Sequence, residues 1–297
     1  MLAFRPRAEK VAFVPKAMQI NALKNFQVAL AILLFCNSAI AFQWPENKKS
    51  AVSLTSDDGW NSQLLQAAIL DSRGIKGTFY LAAVGTVTLH AKQWAKVHRR
   101  GHEVGNHSFS HWNNKILATK TKREVAIDIG SMEAWLLHNI YGKVPTDHTY
   151  AYPHGNGMMG SQETIGSRQA GACEYEMLLS TMVTGARTLG SGENEPETVA
   201  KRRFGISGIP VNGDDTTAFN IAKNAIDNGI AKGTWTVAVF HSLGDAGDGY
   251  SISRAAYTRI ADYLVSREAD LYIAPVVTVK NHILANTVPS GSACASL

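Results

Sequence analysis

Cysteine is scarce in this chain: Cys36, Cys173 and Cys294 are the only three in 297 residues. None has the C-x-x-C spacing of a thiolate zinc cluster or a dithiol redox pair, which excludes both. Long apolar runs are missing as well. The best is Phe26–Phe35, well short of the roughly 20 residues that span a bilayer comfortably. A basic stripe with interleaved aromatics is also lacking, although the formal charge is +5 and the pI near 9. Residues 1–41 hold Arg5, Arg7, Lys10, Lys16 and Lys24 against Glu9 alone, so they supply most of that charge. The remaining basic residues are scattered, and a nucleic-acid partner is excluded. There is no internal repeat and no linker. With 45% hydrophobic content, the chain can bury one sizeable core.

The N-terminal region reads as an export signal. Lys24 precedes the apolar run, and Ala39-Ile-Ala41 supplies an A-x-A cleavage pattern. Residues 1–41 are therefore expected to be a signal peptide cut before Phe42, with Met18 a better start than Met1. The alternative is an uncleaved anchor. Phe35-Cys36 does not suit a lipoprotein signal, where a small residue precedes the cysteine. The mature protein is expected in the periplasm or outside the cell, with no stable membrane span and as a monomer. Cleavage leaves Cys173 and Cys294, for which a disulfide and two free thiols are equally open. Residues 286–297 are small and polar and are expected to form a flexible tail.

From residue 45 to 285 the pattern alternates between strand and helix. Strands are expected at Val52–Thr55, Gly77–Leu81, Glu103–Asn106, Tyr150–Tyr152, Trp235–Phe240 and Leu271–Ala274, with weaker signals at Met177–Arg187 and Phe204–Ile209. Helices are expected over Asn61–Ser72, with Leu64, Leu65, Ala68 and Ile69 facing inward, and over Thr88–Arg100. Further helices are expected over Thr121–Ile140, carrying Val125, Ile129, Met132, Leu136 and Ile140 on one side, and over Ser161–Ala170, Asp215–Ile230 and Ser253–Arg267. Such alternation implies one α/β domain built on a mainly parallel sheet, closed or open.

The polar residues of interest each follow one of these strands, where a β/α barrel carries its chemistry. Asp57 and Asp58 end the first strand. His107-Ser-Phe-Ser-His111 follows the third. Tyr152-Pro153 follows the fourth, and His241 follows Trp235–Phe240. A lone H-x-x-x-H is weak, and His98 and His102 share the spacing. That second pair flanks Arg99-Arg100-Gly101, whose cations disfavour a metal. Two imidazoles and one carboxylate suit a divalent zinc-like ion with a coordination position left open, the mark of a catalytic site. If Asp58 binds the ion, Asp57 is free to take a proton from water. The plainer alternative for Asp57-Asp58-Gly59 is an acidic turn.

Thr55-Ser-Asp57-Asp58-Gly59, His107-Ser-Phe-Ser-His111, Tyr150-Ala-Tyr-Pro153-His-Gly155 and Val239-Phe-His241 resemble, in order, the successive motifs of the polysaccharide deacetylase family, the NodB-homology domain of carbohydrate esterase family four. Leu271–Ile283 resembles its last strand and helix. The resemblance implies a distorted (β/α)7 TIM-like barrel and metal-dependent removal of N- or O-linked acetyl groups from an acetylated glycan. It implies Asp57 as general base, Asp58, His107 and His111 as metal ligands, and His241 as general acid. The ion is expected to be zinc, with cobalt or nickel as alternatives. Tyr152 and His154 are candidates for substrate or oxyanion contact, the latter through a backbone N–H.

Three departures stand out. Ser56 replaces a usual phenylalanine and is expected to loosen packing under Asp57. Ala151 replaces an arginine that orients the base. No acidic-tryptophan motif is recognisable to tune His241, and Asp214 or Asp215 is a candidate substitute. Trp60, Trp112, Tyr152 and Tyr250 are candidate sugar platforms or core residues. His148 and His154 are expected to be solvent-exposed. Two rivals accompany this reading: a hydrolase of the same barrel acting on a non-sugar amide, and a non-catalytic carbohydrate-binding relative.

Overall fold

The strand Ser50–Asp58 (β1) is buried along its length until Asp58, which is partly exposed. In a computed structural model, which describes residues 42–83, 87–160, 168–244, 249–287 and 294, this strand is the hub of the sheet. Its C-terminal half pairs with Thr78–Leu81 (β2) in parallel, from Thr55 opposite Thr78 to Asp58 opposite Leu81. The sheet continues through Glu103–Asn106 (β3), Tyr150–Ala151 (β4), Ala186–Leu189 (β5), Ile206–Pro210 and Trp235–Phe240, and the last of these returns to β1. With Glu193–Asn194 as β6, the strands Ile206–Pro210 and Trp235–Phe240 are β7 and β8. Seven parallel strands, β1-β2-β3-β4-β5-β7-β8, thus close on themselves with helices between them, a (β/α)7 TIM-like barrel.

The distortion lies at the N-terminal ends of the strands. There β1 pairs with Leu271–Ile273 (β9) over Ser50–Val52, below the level at which it meets β2. Likewise β8 pairs with antiparallel β6 at Trp235 and Thr236, below its bonds to β7 at Ala238 and Val239. The barrel wall therefore splits at its base and closes at its C-terminal rim, where the polar motifs emerge.

The helices follow the sequence pattern with two instructive exceptions. Asn61–Asp71 (α1) does not present the expected face: Leu65 is 37% exposed and Ala68 is also exposed, whereas Gln63 and Gln66 are buried. Those two amides point inward because they bond to strand-end carbonyls, so hydrogen bonding rather than apolar spacing sets the rotation of the helix. The expected strand over Met177–Arg187 is instead the end of a helix followed by a turn and loop, with strand only at its last two residues. Arg168–Leu179 is helical, Met177 is 53% exposed, and the strand begins only at Ala186. Most of the expected helix Ser161–Ala170 lies outside the described residues.

The remaining helices agree well. Ala91–Arg99 is α2, short Asn114–Leu117 is α3, and Lys122–Asn139 is α4. Val125, Ile129, Met132, Leu136 and Ile140 are all buried, and a Thr121–Glu124 capping box starts α4. With Arg168–Leu179 as α5 and Pro196–Lys201 as α6, Asp215–Lys232 is α7, started by the Asp214 side chain and stopped by Gly233 at φ 74°. Arg254–Ser266 (α8) and Val276–Asn286 (α9) are the last two helices among the described residues, and Ser253 caps the former. Val52, Leu54, Phe79, Val104 and Phe240 from the strands pack with Leu70, Trp94, Met132, Ile226 and Ile260 from the helices in the main apolar core.

Cys173 of α5 is disulfide-bonded to Cys294, closing a separation of 121 residues. Of the two readings of these cysteines, the disulfide is the one formed. No helix among the described residues is long and apolar enough to cross a membrane. The expected signal peptide, residues 1–41, and most of the expected tail lie outside the described residues.

Candidate active site

Asp57 and Asp58 leave β1 at the closed rim, and the chain turns at once. Asp58 has φ 79° and Gly59 φ 79°, a left-handed pair in which a Cβ on Gly59 would sit 2.4 Å from Val87 Cγ2. Only glycine fits the second position. The turn divides the two carboxylates. Asp58 directs Oδ1 to His111 Nε2 at 3.2 Å and His107 Nε2 at 3.5 Å, while its Oδ2 accepts from the Trp60 indole N–H at 3.1 Å. Asp57 is 4% exposed and keeps Oδ2 3.8 Å from His107 Nε2; its Oδ1 accepts from Arg187 Nη2.

The two histidines are held by their own loop. His107 follows β3, its amide bonded to the Leu81 carbonyl at 2.9 Å. Its ring Nδ1 lies 2.7 Å from the Ala151 carbonyl, an acceptor only, so Nδ1 carries the hydrogen and Nε2 presents its lone pair to the site. Ser108 and His111 adopt φ 68° and 47°. That tight return is braced three times: Asn106 Oδ1 accepts from the Ser108 amide at 2.7 Å, Ser108 Oγ from the His111 amide at 2.9 Å, and Asp128 Oδ1 from the Ser110 amide at 2.9 Å. Asn106 in turn donates to Glu133 Oε1 at 2.6 Å.

The result brings His111 Nε2 to 3.2 Å from His107 Nε2, both facing Asp58 Oδ1, which is buried and makes no hydrogen bond. Burial alone opposes a charged Asp58, but the two imidazoles outweigh it and hold the carboxyl far below the ordinary carboxylate range. Burial likewise disfavours a charged His107, yet the adjacent Asp57 and Asp58 carboxylates outweigh it, and the net direction of its pKa is up. Two convergent imidazole nitrogens and an orphaned carboxylate oxygen, all within 4.8 Å of one another, are the donor set a divalent cation takes. The decoy pair differs. His102 accepts from the Gly77 amide at Nδ1 and meets Asp71 Oδ1 at Nε2, so both its nitrogens are engaged.

Arg187 was not recognised in the sequence. It is fully buried on β5, and its ladder partner on β4 is Ala151. The arginine missing from position 151 is thus replaced from the next strand, at the same level of the barrel. Ser56 also corrects its expectation. It donates to Gln66 Oε1 at 2.5 Å, and the Gln66 amide donates to the His241 carbonyl at 2.8 Å. Gln63 donates to the carbonyls of both Asp57 and His241. The small polar residue therefore joins a network that ties the ends of β1 and β8 together instead of loosening them.

These residues line a cleft of about 430 Å³ that includes Asp57, Asp58, His107, His111, His154 and His241. His154 is exposed at φ 55°, its ring centroid 4.7 Å from that of His111; burial and the two histidines push its pKa down. Adjacent Gly155 has φ 69°, and a Cβ there would meet Leu189 at 2.6 Å. Trp60 and Tyr250 stand on the rim, 52% and 63% exposed, and the Tyr250 ring lies 5.6 Å from that of His241.

Other candidates fall elsewhere. The Tyr152 ring is 2% exposed and packs edge-on against Tyr150 and Tyr175, so it is a core residue and not a platform; its amide bonds the Arg187 carbonyl. Trp112 lines a separate surface hollow with Phe109 and Ile127. His148 is buried, contrary to expectation, between the Thr146 carbonyl and Glu133. Asp214 caps α7 through the Thr216 and Thr217 amides. Among the described residues no carboxylate forms an ion pair or hydrogen bond with the His241 ring.

Residues 45–171 match the polysaccharide deacetylase family model, a span that holds Asp57, Asp58, His107 and His111 but not Arg187 or His241. Among solved structures, a protein from Mycobacterium smegmatis assigned as a polysaccharide deacetylase superposes with a TM-score of 0.60 at 15% identity, covering 84% of this chain and 96% of its own. The peptidoglycan deacetylase PdaC from Bacillus subtilis gives 0.51 at 20% identity, covering 80% and 92%. A pseudoenzyme of the same carbohydrate esterase family, from Bacillus anthracis, gives 0.51 at 15% identity, covering 80% and 66%. At these identities the likeness establishes the fold. Among curated proteins none matches the sequence.

Proposed function

We propose, from a chain whose residues 45–171 match the polysaccharide deacetylase family, that it is a metal-dependent hydrolase releasing acetyl groups from an acetylated glycan. The observation that carries this is the convergence of Asp58, His107 and His111 on one point, with a second carboxylate, Asp57, beside them and held by a buried arginine. A fold shared with a pseudoenzyme does not by itself argue for turnover, so the reading rests on these side chains.

Zinc suits two imidazoles and one carboxylate. When bound, the ion would supply Lewis acidity at the acetyl carbonyl and acidify the adjacent water. Asp57 takes the proton from the water as its oxygen adds to the carbonyl carbon. Arg187 keeps that carboxylate aimed. The His154 backbone N–H is the candidate donor to the carbonyl oxygen. His241, across the cleft, gives a proton to the departing amine or alkoxide as the carbon–nitrogen or carbon–oxygen bond breaks. The products are acetate and the free amino or hydroxyl sugar.

We place this activity outside the cytosol. The A-x-A pattern at Ala39–Ala41 and the Cys173–Cys294 disulfide support that placement, since such bonds persist in oxidising compartments. The test is acetate release from a panel of acetylated glycans and non-sugar acetamides, run with chelator and then with zinc restored. Zinc-dependent release from a glycan is expected. Release from the non-sugar amides alone would favour the first rival, and no release from any substrate at full zinc occupancy would favour the binding protein.

A further inference from the structure

Trp60 occupies two environments at once. Its ring stands on the rim of the cleft, 52% exposed, while its indole N–H donates to Asp58 Oδ2 at 3.1 Å. The other oxygen of the same carboxylate is the one that faces His107 and His111. Asp58 needs such a restraint. Its backbone is in the left-handed region at φ 79°, where a non-glycine residue is strained, and Oδ1 has no hydrogen bond to fix the carboxylate rotation. Among the described residues the indole is the one hydrogen-bond donor on the carboxylate, and it comes from the residue just after the Gly59 turn.

We infer that Trp60 is a positioning residue for Asp58, fixing the carboxylate in its metal-facing orientation from the rim of the cleft. This rests on the metal reading above. A group that hydrogen-bonds a metal ligand from outside typically changes metal affinity by about 10–100-fold. The exposed indole also makes the metal site sensitive to whatever covers the rim, because any ligand that stacks on the ring immobilises the donor as well.

The test is titration of zinc into the metal-free full-length chain. Trp60→Phe keeps an aromatic ring and loses the donor; Tyr250→Phe, whose ring lies beside His241, is the control. Trp60→Phe is expected to weaken zinc binding at least tenfold, with Tyr250→Phe unchanged and the melting temperature of all three metal-free proteins the same. That split separates positioning from general support of the fold, since a structural role would lower the melting temperature without zinc. Trp60→Ala is a second variant and is expected to match Trp60→Phe in zinc affinity. Equal zinc affinity in wild type and Trp60→Phe overturns the inference while leaving the metal site intact. Absence of zinc binding by the wild type overturns the metal reading itself.

Discussion

Arg187 grips Asp57 from the ladder position directly opposite Ala151. The side chain crosses from β5 to the end of β1 inside the barrel and is wholly buried, with its guanidinium 5.3 Å from the centre of the Tyr80 ring. Asp57 and Arg187 are thus a buried pair whose value lies less in stability than in aim. Desolvating both charges costs about what their attraction returns, but the bond from Nη2 holds Oδ1 and leaves Oδ2 on the side of His107. Parallel neighbours in a closed barrel present equivalent positions to the same interior point. An arginine can therefore move by one strand and still reach the same aspartate.

The first prediction tests that pairing. Arg187→Lys keeps the charge and loses the planar guanidinium whose Nη2 holds Asp57. Zinc content and KM should be unchanged while kcat falls, by an amount bounded by the roughly 10²–10⁴ that a general base contributes. Steady-state acetate release per folded molecule measures it. A kcat within twofold of wild type would show that Asp57 needs no such aim.

Part of this site was legible before folding and part was not. Asp57, Asp58, His107 and His111 lie in short contiguous motifs at strand ends, and local pattern locates them. Strand–helix alternation, a local signal repeated along the chain, showed one α/β domain on a mainly parallel sheet but left it closed or open, and the (β/α)7 barrel was implied only by the resemblance to the polysaccharide deacetylase family. Arg187 was not readable. Its role depends on the register of Ala151 with Arg187, a pairing between β4 and β5 that no local pattern encodes. The face of α1 was misread for a related reason. Gln63 and Gln66 are buried by bonds to Asp57 and His241, and the latter is 178 and 175 residues away in sequence. The choice between platform and core stayed open for Tyr152, because a strand-end position does not reveal which side of the sheet a ring takes.

The second prediction concerns the disulfide. Cys173–Cys294 closes a long loop, and removing it should lower stability by about 2–4 kcal/mol. Cys294→Ser should shift the denaturant midpoint downward by a corresponding amount while zinc affinity stays the same, because neither cysteine touches the cleft. Protein from the native host should show no free thiol at Cys173. Quantitative alkylation of Cys173 without reductant would contradict the bond.

The third prediction concerns pH. His148 places Nδ1 2.6 Å from the Thr146 carbonyl and Nε2 3.0 Å from Glu133 Oε1. Both partners only accept, so they favour the doubly protonated ring. Burial pushes its pKa down, but the Glu133 carboxylate and the Thr146 carbonyl more than offset this, and the net direction is up. A raised folded-state pKa gives stability that is fully present below the ordinary histidine value of about 6.5 and is lost as pH rises through the folded value. The urea midpoint of the wild type should therefore decline as pH rises above about 6.5. In His148→Gln that portion of the decline should be gone. Identical pH profiles for the two proteins would show that His148 is not charged in the fold.

The last prediction separates the adjacent aspartates. They share one chemistry, and only the turn at Asp58 and Gly59 divides their work. Asp58 Oδ1 faces both imidazoles at 3.2 and 3.5 Å, whereas Asp57 is no nearer than 3.8 Å to His107 and is committed to Arg187. Asp57→Asn should therefore bind zinc nearly as well as wild type and lose rate by roughly 10²–10⁴. Asp58→Asn should weaken zinc binding itself, with excess zinc restoring part of the turnover. His107→Ala should lose both metal and activity. His98→Ala should lose neither, since its ring packs 5.1 Å from Tyr141, away from the cleft. Zinc affinity and acetate release measured on the same four variants give the assignment directly. Loss of metal in Asp57→Asn with retention in Asp58→Asn would reverse the two roles, because a carboxylate held only to aim a proton acceptor has no reason to carry the ion.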